Sequence, residues 1–220
     1  MHTFNTPAAI SAVLDIPAGR IRILAEDRAD TTVEVLPANA AKSRDVKVAE
    51  QTTVAYDGGV LRVEVPKQNQ YFGASGSVEV TVHLPVGSRL DAKAAAAELH
   101  TAGRLGDVEF TGAHGVIKLD EVAGLRLTAY VGDVEIGRLG GSAEVSTQQG
   151  DIRVGAASGG TLVLRTQAGS ITVVAAAGVS ATLDASTARG RIDNSLKNDG
   201  SAELKIQATT SYGDITARSL

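Results

Sequence analysis

The sequence predicts a nearly all-β chain: an antiparallel N-terminal β region leading into a parallel β-solenoid of about six to seven two-strand coils. Apolar Val, Ile, Leu and Thr alternate with polar residues in short runs bounded by Gly, Asp, Asn and Ser, which is the pattern of half-buried strands and tight turns. From about residue 88 a two-strand unit recurs at a period that grows from 17 to 23 residues. With 220 residues, 43% of them hydrophobic, there is chain enough to bury a sizeable core.

Residues 1–87 form the antiparallel cap region, with strand-like runs near 8–16, 20–26, 31–36, 45–56, 59–65 and 77–84. Asp57-Gly58-Gly59 separates two runs where positive φ is easily met, and so marks a hairpin. Pro17, Pro37, Pro66 and Pro85 fall at strand ends, where no ladder donor is required. The polar linker 67–76 carries Tyr71 and Phe72 side by side. Exposed, they would anchor a partner, a glycan or a membrane interface; folded back, they would cover the first coil. A second loop carries Lys42, Arg44 and Lys47, the pattern of a solvated face.

Residues 88–220 are the solenoid repeats. The first triplets are Val108-Glu109-Phe110, Leu125-Arg126-Leu127, Ala143-Glu144-Val145, Leu162-Val163-Leu164, Ala181-Thr182-Leu183 and Leu204-Lys205-Ile206. A Gly follows each, at 115, 132, 150, 169, 190 and 213, and after one intervening residue the second triplets begin at Ile117, Val134, Ile152, Ile171, Ile192 and Ile215. An earlier, degenerate copy fits Arg89 to Leu99; its Ala-rich run from Asp91 to His100 also reads as a short helix with Asp91 as N-cap. Such a unit cannot bury its apolar face alone, so neighbouring copies stack. Stacked in sequence order, the outward residues run Glu109, Arg126, Glu144, Val163, Thr182, Lys205 on one face and Lys118, Glu135, Arg153, Thr172, Asp193, Thr216 on the other. Both series begin with alternating charge, which favours this register over rungs spaced ~4.8 Å apart. The inward positions turn polar or small at Asn194 and Ala217, so the core tapers toward the last coil. That coil, with Ile215 and Ala217, is expected to present an open edge to a protein partner or to another copy of the chain.

Composition excludes several chemistries. With no Cys there is no disulfide, thiolate nucleophile or Cys-ligated metal. A net charge of −4 weighs against a nucleic-acid binder. No apolar stretch is long enough to insert stably in a membrane, and the N-terminus lacks a basic region, so a cytoplasmic location is expected. The Gly-Asp pairs at 106–107, 132–133, 150–151 and 213–214 resemble a calcium ladder only loosely, because Ser170 and Arg191 interrupt it; the simpler role for each Asp is to bond the turn backbone. His2, His83, His100 and His114 share no ligand-like spacing, although His100 and His114 could approach across neighbouring coils. No catalytic, cofactor or metal residue is therefore assigned. A carbohydrate-active or carbohydrate-binding solenoid is the alternative, and carboxylates clustered with aromatics along one outer face would favour it.

The segment from Gly19 to Pro37, GRIRILAEDRADTTVEVLP, followed by repeated Gly-Asp-[Val/Ile]-x-[Val/Ile] units, resembles the bacterial putative-adhesin family of unknown function, also called the Toastrack domain, and its actinobacterial members above all. The resemblance implies a β-solenoid without known catalytic residues, in a family associated with cell-envelope stress systems and inferred to act as an interaction or assembly module.

Overall fold

A computed structural model describes residues 1–66 and 76–220; Tyr71 and Phe72 lie outside the described residues. The chain has a β-solenoid architecture in which strands pair mostly in parallel, and it divides into two compact units, 1–115 and 116–220.

The first unit contains β1 (His2–Asn5), β2 (Ser11–Asp15), β3 (Ala18–Glu26), β4 (Asp30–Pro37), α1 (Ser43–Gln51), β5 (Thr53–Asp57), β6 (Val60–Glu64), β7 (Val78–Pro85), β8 (Arg89–Ala102) and β9 (Arg104–His114). The expected antiparallel pairings are present: β1 with β4, β4 with β7, and β5 with β6 through the Asp57–Gly59 hairpin, where Gly58 and Gly59 both have positive φ. Parallel pairings join them. β2 lies between β6 and β8, and β3 lies between β7 and β8, so β2–β3 is one coil inserted between coils made later in the chain. Charge supports that order. Arg20 sits between Glu79 and Glu98, bonding them at 2.8 and 3.1 Å, and this company holds its guanidinium above its usual range, chiefly through the Glu98 hydrogen bond. Asp91 beside Glu109 is the counter-example, an adjacent like-charged pair.

The structure departs from two expectations in this unit. Residues 45–51, read as part of a strand over 45–56, lie in α1, because its buried residues, Asp45 and Val48, are three apart and so share a helix face rather than a strand face. Asp45 also accepts a hydrogen bond from the Ser77 amide at 3.1 Å, which ties the helix to the start of β7. The Ala-rich run from Asp91 is strand β8, not a helix. Leu90, Ala92, Ala97 and Leu99 are buried, and pairing with β2, β3 and β9 satisfies the backbone that low side-chain bulk leaves accessible. The outermost strands β1 and β5 meet through Phe4 and Tyr56, whose ring centroids are 5.4 Å apart.

The second unit contains β10 (Ile117–Thr128), β11 (Val134–Leu139), β12 (Ala143–Gln149), β13 (Ile152–Ala157), β14 (Gly160–Ala168), β15 (Ile171–Ala175), β16 (Ala181–Arg189), β17 (Ile192–Ser195), β18 (Leu204–Tyr212) and β19 (Ile215–Ser219). These strands pair with one another in parallel. Lys118, Glu135, Arg153 and Thr172 stand opposite one another in the expected order, as do Arg126, Glu144 and Val163. Lys118 and Glu135 form an ion pair at 3.3 Å.

Beyond β15 the stacking order departs from the sequence order. β18 pairs with β14 on one side and β16 on the other, while β19 lies between β15 and β17. The last coil of the chain is thus inserted beneath the one before it, and β16–β17 is the end rung. The outward columns accordingly read Val163, Gln207, Asp184 and Thr172, Thr216, Asp193. Thr182 and Lys205 face each other, but two residues away from the Val163 column.

Two side-chain ladders repeat the same order. Thr166 donates its hydroxyl to the Gly150 carbonyl, Thr210 to that of Gly169 and Thr187 to that of Gly213, at 3.1, 2.9 and 3.0 Å. Each buried or half-buried Thr therefore satisfies the Gly turn of the coil beneath. Asp133 accepts the Asp151 amide, Asp151 that of Ser170, the Ser170 hydroxyl that of Asp214, and Asp214 that of Arg191. Asp133, Asp151 and Asp214 do bond backbone as expected, but that of the neighbouring coil.

Candidate interaction surfaces

The end rung is the first candidate. Among the described strand pairings β16 bonds only β18, and β17 only β19; the Ala181 amide at the start of β16 is taken by the Lys197 carbonyl at 3.0 Å, and beyond it no described strand pairs with the outer edge of this rung. Inward residues that are buried in other coils emerge here: Ile192 is 47% exposed, whereas Ile215 and Ile171 on the rungs beneath are 1% and 0%. Asp214 buttresses the rung from below. Its carboxylate accepts the Arg191 amide at 2.8 Å and the guanidinium at 3.0 Å, and these bonds hold it below the usual carboxylate range, the backbone bond contributing most.

Ile215 and Ala217 were expected on the terminal edge. They are buried on the inserted rung, paired on both sides through β15 and β17, so they offer nothing to a partner. The signal for the true edge was the inward polar Asn194, which falls in the fifth copy and not the sixth.

The second candidate is a groove of about 410 Å³ at the Gly corner of the coils, lined among others by Tyr130, Gln148, Gln149, Gln167, Ser211 and Tyr212. Tyr130 and Tyr212 are 53% and 58% exposed, large values for aromatic side chains. The register Val131, Gln149, Ala168, Tyr212 places the two tyrosines three rungs apart, about 14 Å by strand spacing. Backbone groups here are already engaged, since the Gln148 and Gln149 amides both donate to the Tyr130 carbonyl. Arg189 on the end rung stacks over the Tyr212 ring at 5.6 Å from its centroid. Sequence reading missed this site because Tyr130 and Tyr212 are 82 residues apart and meet only through the inserted coil.

The histidines do not form a pair. Ala96 and not His100 stands opposite His114, leaving the two histidines four residues out of step. His83 hydrogen-bonds Glu26 at 3.1 Å, which lowers the Glu26 carboxyl from its usual range. No group of three or more His, Cys, Asp or Glu among the described residues could hold a metal ion, and no described helix is long and apolar enough to cross a membrane. Lys42, Arg44 and Lys47 are exposed around the start of α1.

Stacked two-strand coils with polar outer columns define a β-solenoid. The Toastrack family profile, DUF4097, matches residues 13–219, and the chain belongs to that family. A "putative adhesin" of Bacteroides fragilis shares the fold at 14% identity and a TM-score of 0.51, with 98% of this chain and 95% of that one covered. Also similar are a "putative cell adhesion protein" of Clostridium sporogenes (11% identity, TM-score 0.44, 100% and 98% covered) and a "putative adhesin" of Parabacteroides distasonis (13%, 0.45, 98% and 95%). No curated protein matches the chain.

Proposed function

We propose that the protein is a non-catalytic, adhesin-like assembly module that pairs edge to edge through β16–β17 with a second copy of itself. The open outer edge of this rung carries the reading. Beyond Ala181, whose amide bonds Lys197, β16 presents alternate backbone donors and acceptors to an incoming strand. An antiparallel two-fold pairing centred on Ala185 would set Asp184 against Ser186 and Arg189 against Ala181, so no like charges meet. The outward columns of the 116–220 unit support a non-catalytic role, because their acids alternate with bases or neutral residues instead of clustering.

The test is light scattering after size exclusion over a wide concentration range, comparing wild type with Ile192→Lys. A dimer that this change abolishes while far-UV circular dichroism stays β-rich is the expected result. A wild-type protein that remains monomeric at every concentration refutes self-pairing.

A further inference from the structure

We propose that the corner groove between Tyr130 and Tyr212 binds a neutral glycan chain. Three features converge. The two ends of the groove carry exposed tyrosine rings, whose faces suit the C–H faces of pyranose rings. Between them the exposed amides of Gln148, Gln149 and Gln167 supply donors and acceptors on successive rungs, as a row of sugar hydroxyls requires. None of the lining residues carries a charge at neutral pH, and the cation placed at the groove, Arg189, is stacked on the Tyr212 ring at one end, so the row of amides between the tyrosines is uncharged.

The spacing is set by the fold. Rungs repeat every ~4.8 Å, so stacking and hydrogen-bonding groups recur at regular intervals along a line. A linear chain lying across the rungs would span from one tyrosine to the other, with Arg189 fixing the Tyr212 ring by stacking on its face. The volume, about 410 Å³, falls within the range of small-molecule clefts, so a few sugar units would fill it. This site does not depend on pairing of the end rung, and the two readings stand or fall separately.

Isothermal titration with cellohexaose, xylohexaose, mannohexaose and laminarihexaose tests the proposal, with hexagalacturonate and a proline decapeptide as probes of other classes. Tyrosine fluorescence gives a second readout, since the chain has no Trp. Binding of at least one neutral hexasaccharide is expected, weakened about fivefold to tenfold by either Tyr130→Ala or Tyr212→Ala. Both rings are more than half exposed, so these variants should keep wild-type far-UV spectra; Gln148→Ala, which removes an exposed side chain, gives an independent variant. Absence of binding to every neutral probe at millimolar concentration overturns the proposal. So does binding that the Tyr and Gln changes leave unaltered, or binding confined to hexagalacturonate or to the peptide.

Discussion

If the last coil is inserted beneath the one before it, Ile215 and Ile192 should differ sharply in what their truncation costs. Ile215 is 1% exposed between two paired rungs, and replacing such a residue with Ala costs about 2–5 kcal/mol through lost transfer energy and the cavity left behind. Ile192 is 47% exposed on the end rung, so about half of its transfer energy is at stake and Ile192→Ala should cost at most ~1 kcal/mol. Urea unfolding followed by circular dichroism would compare the two variants. Because stacked coils can fray separately, hydrogen exchange of the 181–195 and 204–219 segments should accompany it. Peptides from β18–β19 should exchange more slowly than those from β16–β17. Sequential stacking predicts the reverse on both counts. An Ile192→Ala variant as destabilised as Ile215→Ala, or faster exchange in β18–β19, would refute the inserted order.

Other expectations follow from the turn ladders. An Ala at Gly150 would place its Cβ 2.1 Å from the Gly132 carbonyl oxygen at a φ of +137°, whereas Gly178, at +81°, has nothing within 4 Å. Thermal unfolding should therefore show Gly150→Ala losing more than about 3 kcal/mol and Gly178→Ala about 1–2, the latter from backbone strain alone; equal losses would contradict the close stacking of turns. The Asp214 carboxyl is held below its unfolded value by the Arg191 amide and guanidinium, so its contribution is present above the unfolded pKa of about 3.9 and disappears as pH falls through the folded value. The gap in urea midpoint between wild type and Asp214→Asn should accordingly narrow from pH 7 to pH 2.5, and a constant gap would argue against the bond to Arg191.

Much of the architecture was legible because each coil repeats the same chemistry. A Gly turn followed by apolar-x-apolar fixes which residues face inward, and Lys118, Glu135 and Arg153 fix the register. The helix was not legible. Val46 and Val48 alternate as strand residues do, and Lys42 at the N-cap makes no side-chain capping bond that would announce a helix start. The inserted order was hidden for a different reason. Any coil with a Gly turn can stack on any other, so local pattern alone does not rank them. Two traces of the order were present in the sequence: the inward Asn194 in the fifth copy, and the polar segment 196–203, long enough to return the chain across a rung. The glycan groove needs that order as well as the fold, which is why neither tyrosine stood out.

The inserted coils also bear on how the polypeptide acquires its structure. A solenoid stacked in chain order can grow from one end as it leaves the ribosome, each new turn laid on the last. Here β2–β3 waits for β6, β7 and β8 before both of its flanks are covered, and β16–β17 has no rung to rest on until β18–β19 has been made. Assembly of the 116–220 unit therefore ends with a keystone step, in which the youngest segment slides beneath an older one. Such a step joins distant parts of the chain late, so it should be slow and vulnerable to aggregation, and a chaperone that shields β16–β17 would act on its most exposed intermediate.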